Sequence, residues 1–133
     1  MLIAMRPVVA VRGSLFSIKY KFERDKEPRE KFCVLMEDYV KGKKDLVVVF
    51  TTRNLNFASR KTAVPVAGGV IRGLPEDTVI ECHNFAIISC EYLLKDEEVE
   101  YICQIQPEIM QSINEAVEHI QKIDEKTLAR MVE

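Results

Sequence analysis

The last third of the chain constrains the fold more than any other part. Two apolar, strand-like runs at 78–82 and 85–90 are followed by a third at 99–105, and Pro107 then opens a helical pattern over 108–122. Within that pattern Ile109, Met110, Ile113, Ala116, Val117 and Ile120 recur three or four residues apart and make one apolar stripe. Pro107 suits the first helical position, where its missing N–H costs nothing. Glu108 in the first turn and His119 and Lys122 in the last suit the helix dipole. Residues 123–131 predict a second short helical piece started at Asp124.

Upstream the pattern is that of strands. Residues 8–11 form a short apolar run that stops at Gly13, and 15–22 alternate as a half-buried strand. The charged stretch 23–31, with Pro28 inside it, predicts a solvated loop, and 32–40 a further strand before the basic turn 41–44. The near-continuous apolar run 46–52 has three consecutive valines, which predicts a central strand buried on both faces. Residues 53–60 read as a polar loop. Residues 62–67 read as a weak strand kept to an edge or bulge by Pro65. Gly68, Gly69 and Gly73 punctuate the passage to a turn at 75–77. Six or seven short strands and a late helix predict a mainly β domain, a small, strongly bent barrel with a helix beside it.

A chain of 133 residues, 47% hydrophobic and 30% charged, suits one compact domain over 1–133. The net charge of −2 gives no bulk attraction for nucleic acid, so a binder must gather its Lys and Arg on one face. Cys33, Cys82, Cys90 and Cys103 form no close pair and sit in apolar runs, which predicts reduced core thiols, not a zinc site or a disulfide framework. Residues 1–7 read as neither a signal peptide nor a membrane span, and Met5 is an alternative start. Together these features predict a cytoplasmic protein with no membrane partner.

Nucleotide-binding glycine loops, a nucleophile elbow and the HExxH zinc signature are all missing from the sequence. Three stretches remain as candidates for chemistry. The first is 23–31, with Arg24, Lys26, Arg29 and Lys31, a charged stretch whose composition favours a plain solvated loop. The second is Thr51, Thr52 and Arg53 at the end of the central strand, where a rigid scaffold presents side chains. The third is 81–84, where His83 has the chemistry of a general base near neutral pH.

Four phrases resemble the PemK/MazF-like toxin family of small SH3-like barrels. They are VRGSLF at 11–16, REKFCVLM at 29–36, VVVFTT at 47–52 and QPEIMQSINEAV at 106–117, in the family's order. The resemblance implies a homodimer that cleaves single-stranded RNA without metal or other cofactor and is held by a cognate antitoxin. It places the catalytic arginine at Arg29 and the hydroxyl at Thr51, with Thr52 beside it. Arg24, Lys26, Lys31 and Arg53 would then face RNA. The family's phrase Cys-Asp-Gln-Ile-Arg-Thr reads Cys82-His83-Asn84-Phe85-Ala86-Ile87 here, so an acid becomes His83 and an arginine becomes Ala86. Two functions follow as expectations: an endoribonuclease in which His83 takes an acid–base role, or a non-catalytic barrel that binds protein or nucleic acid.

Overall fold

The computed structural model describes residues 10–132, and the expectations for 1–7 and for the first part of the 8–11 run lie outside it. Six antiparallel strands form one curled sheet: β1 (Ser14–Tyr20), β2 (Arg29–Leu35), β3 (Asp45–Thr52), β4 (Ala63–Val66), β5 (Thr78–Ser89) and β6 (Glu100–Gln104). Their spatial order is β4-β5-β3-β2-β1-β6. Three α-helices follow or interrupt them: α1 (Cys90–Lys95), α2 (Pro107–Val117) and α3 (Glu125–Met131).

Alternation along β3 explains why the sheet is buried on both sides. Val47 and Val49 join one apolar cluster, while Leu46, Val48 and Phe50 join another. The first cluster takes in Ile71, Ile80 and Ile105, and α2 caps it with Ile113, Ala116 and Val117. The second takes in Phe16, Ile18 and Leu35 and is covered by Leu93 of α1 and by Val99. The edge strands β4 and β6 are not paired with each other. The loop after β4 spans the gap between them: Gln106 Nε2 donates to the Val70 carbonyl at 2.6 Å, and the Cys103 thiol lies 3.5 Å from the Arg72 carbonyl. Gly73 adopts φ +87°, and a Cβ there would lie 2.4 Å from Cγ2 of Ile102 in β6. The loop therefore needs glycine both for its backbone conformation and for its close approach to the far edge.

Several expectations change. The runs 78–82 and 85–90 are one strand, β5, with a bulge in its middle. Arg29 and Lys31 begin β2 and do not end a loop, because they pair with Tyr20 and Ile18 of β1. Residues 36–40 are not strand: the Glu37 carboxylate takes the Val47 N–H at 2.7 Å and turns the chain early. A short 3-10 helix, Leu55–Ser59, lies in the expected polar loop, capped by the Asn54 side chain. The expected helix begins at Pro107 but ends at Val117. Asp124 does start the last helix, accepting from the Thr127 N–H at 2.8 Å. Cys33, Cys82 and Cys90 are buried free thiols, and Cys103 is half-buried.

Candidate nucleic-acid interface

The bulge in β5 creates the most distinctive surface of the sheet. Along β3 the partner of Val49 is Phe85, while that of Phe50 is Glu81. Residues 82–84 therefore have no partner on β3; Cys82 stays buried in the core, while His83 and Asn84 are exposed to solvent. Bulges of this kind re-aim side chains next to functional sites.

Two adjoining grooves meet here. One, of about 590 Å³, lies between the start of β2, the end of β3 and the loop at 73–76. The other, of about 450 Å³, lies between the end of β3, the 3-10 helix and the β5 bulge. Lys31, Thr51 and Thr52 line both. The fold thus brings together Arg29, Lys31, Thr51, Thr52 and Arg53 around the first groove and adds His83 at the second. Arg24 and Lys26 are exposed on the β1–β2 loop and line neither groove.

Asp25 organises the cations of β2. Its side chain accepts from the Phe22 N–H at 3.0 Å, and Arg29 and Lys31 each lie 3.7 Å from one of its oxygens. The Phe22 N–H, with Lys31 and Arg29 beside it, holds the Asp25 carboxyl below its usual range. Lys31 also lies 4.9 Å from the centre of the Phe22 ring, a cation–π contact that fixes its stem. Thr52 accepts from the Asn54 N–H at 3.1 Å, and its carbonyl accepts from the Thr78 hydroxyl at 3.0 Å. The Thr51 hydroxyl makes no hydrogen bond among the described residues, so it is available to a ligand. Arg53 pairs with Glu76 at 2.6 Å, both side chains being well exposed.

Four cations, Arg29, Lys31, Arg53 and Arg60, line the two grooves together with three carboxylates, Glu30, Glu76 and Glu81. Asp25 beside Arg29 and Lys31 makes a fourth carboxylate, so the surface gathers cations, each next to an acid, without a net positive charge. The aromatic rings of Phe22 and Phe57 line the second groove, and Arg60 stacks 4.1 Å over the Phe57 ring. Cations for phosphate and rings for bases are the two elements of a single-strand binding surface. Among the described residues no three His, Cys, Asp or Glu side chains gather as a metal cage requires, and no helix is long and apolar enough to cross a membrane.

Arg60, Glu81 and the two phenylalanines are members of the site that sequence reasoning did not single out for a role. The signal for Glu81 was present: one acid inside the otherwise apolar run of 78–82. Arg60 gave none, because it closes a stretch that reads as polar loop throughout. Against known proteins, no family model and no curated sequence matches the chain.

Proposed function

We propose that the protein is an endoribonuclease of single-stranded RNA that works without metal, on a curled sheet of the SH3-like barrel class. The observation that carries this reading is the wall shared by the two grooves, where Lys31, Thr51 and Thr52 stand together with His83 on the neighbouring bulge. In this reading a phosphodiester lies against Lys31 and Thr51, with Arg29 and Arg53 beside the flanking phosphates and bases stacked on Phe22 and Phe57. The ribose 2′-hydroxyl gives its proton to a base in the groove as its oxygen attacks the adjacent phosphorus, the bond from phosphorus to the 5′-oxygen breaks, and His83 as imidazolium gives its proton to that oxygen. Lys31 and the Thr51 hydroxyl stabilise charge developing on the phosphoryl oxygens. The products are a 2′,3′-cyclic phosphate and a 5′-hydroxyl. The resemblance extends the proposal to a cytoplasmic homodimer whose groove a cognate antitoxin covers.

The test is incubation of the purified chain with a single-stranded RNA in excess chelator, followed by end-group analysis. Cyclic phosphate ends are expected, and Thr51→Ala should slow their formation by about 10²-fold. RNA that is bound and left intact would instead identify a binding module.

A further inference from the structure

Glu81 is the most unusual ionisable group of the site. Its residue is 3% exposed, in the sheet interior next to the bulge. One carboxylate oxygen does all the structural work: Oε1 accepts from the Thr62 hydroxyl at 2.6 Å and from the His83 N–H at 2.9 Å. That oxygen ties β4 to the bulge and sets where His83 stands. The other oxygen, Oε2, is buried with no hydrogen-bond partner. Its nearest cation is Arg60, with Nη1 at 3.7 Å, beyond hydrogen-bond reach. A buried carboxylate oxygen left unsatisfied needs a reason, since such groups are almost always paired. Arg60 is half exposed, stacked on Phe57, and lines the same groove as Glu81.

We propose that Glu81 is the proton acceptor of the cleavage reaction and that Arg60 is its removable cover; this rests on the endoribonuclease reading above. An RNA phosphate draws the Arg60 guanidinium off Oε2, because a guanidinium pairs two-pronged with phosphate better than it does with a carboxylate held beyond hydrogen-bond distance. Uncovered, Oε2 takes the proton of the ribose 2′-hydroxyl as the 2′-oxygen bonds to phosphorus. The bond to the 5′-oxygen breaks and His83 supplies that oxygen with its proton. One proton is gained by Glu81 and one lost by His83, and exchange with water resets both. The groups facing Glu81 are Arg60 at the end of the 3-10 helix, His83 and the Cys82 thiol on β5, the Thr62 hydroxyl before β4, and Lys31 across the groove.

The experiment is single-turnover cleavage of a 5′-labelled, mixed-sequence single-stranded RNA by the full chain across about pH 5 to 9, with RNA binding measured in parallel. Glu81→Gln keeps an acceptor for Thr62 and His83, and should lower the cleavage rate by about 10²- to 10⁴-fold while RNA still binds. Arg60→Gln removes the guanidinium that covers Oε2 and clasps the phosphate, so RNA binding should weaken by about tenfold and its log–log salt slope should become shallower by about 0.7; this readout stands even where Glu81→Gln fails to fold. A folded Glu81→Gln that cleaves at the wild-type rate overturns the role of Glu81, and RNA binding that Arg60→Gln leaves unchanged overturns the role of Arg60 as its cover; either result leaves the endoribonuclease reading standing. A wild-type chain that binds RNA and never cleaves it overturns both.

Discussion

Arg29 and Lys31 lie two residues apart on one face of β2 and share Asp25, yet they are not equivalent. The Arg29 side chain is 68% exposed and that of Lys31 21%. A long exposed side chain spends conformational entropy to hold any one geometry, so an exposed ion pair contributes at most about 1 kcal/mol. Lys31 is already ordered against Phe22 and stands where both grooves meet. Lys31→Ala should therefore weaken binding of a labelled single-stranded RNA by about tenfold, about 1.4 kcal/mol, and Arg29→Ala by about twofold. Equal losses, measured by equilibrium titration, would place the fixed cation elsewhere. The sequence resemblance points to Arg29, and a strand's period of two puts both residues on the same face. What separates them is the Phe22 ring, brought back over Lys31 by the turn at Asp25, and no local pattern encodes that contact. His83 was legible as chemistry. Its position on a bulge was not, because the bulge exists only relative to β3.

The elements divide in the same way. The stripe on α2 and the Asp124 cap of α3 are local signals, and both helices start where spacing and capping predict. α1 was hidden, since its first residue closes an apolar run that reads as strand. Tertiary bonds hold it: the Tyr92 hydroxyl accepts from the Lys19 N–H and donates to the Lys19 carbonyl, each at 3.0 Å. What fastens α3 is electrostatic and just as distant in sequence. Arg130 reaches Asp45 at 2.7 Å and Glu37 at 2.9 Å, while Lys43 also bonds Glu37. Burial pushes the Glu37 carboxyl up, but bonds from Arg130, Lys43 and the Val47 N–H outweigh it, and the group ends below the ordinary 4.5. A carboxyl depressed on folding stabilises the protein above its unfolded value and loses that contribution as pH falls through its folded value. Glu37→Gln should lower stability by about 2 kcal/mol at neutral pH. The gap to wild type should stay constant down to about pH 4.5, the ordinary carboxyl value, and narrow below it. Denaturant melts at several pH values would show this; a gap that is constant into acid would mean that Glu37 is not held ionised by the network.

At the scale of the whole molecule, a mainly β domain with a C-terminal helix was readable from the strand runs and Pro107, and the way the sheet curls was not. Its two edges approach through the loop at 68–74, where Val70, Arg72 and Gly73 meet Gln106, Cys103 and Ile102. That loop continues into Glu76, which lines the first groove and pairs with Arg53. The curl therefore shapes the site and gathers cations, each beside a carboxylate, on a molecule that is acidic as a whole. This has a consequence for binding. Two to four cations engaging phosphates should give a plot of log affinity against log salt with a slope of about −1.4 to −2.8 for a single strand. The remaining carboxylates act from farther away and are screened over about 8 Å at physiological ionic strength. Raising salt should thus release RNA through the loss of groove contacts, even though it also relieves repulsion from the rest of the surface. Lys31→Ala should make the slope shallower by about 0.7, one phosphate contact fewer. A flat salt dependence would show that stacking on Phe22 and Phe57 dominates, with the cations serving orientation. A slope steeper than about −2.8 would require basic residues beyond the grooves, and Arg24 and Lys26 on the neighbouring loop are the first to test.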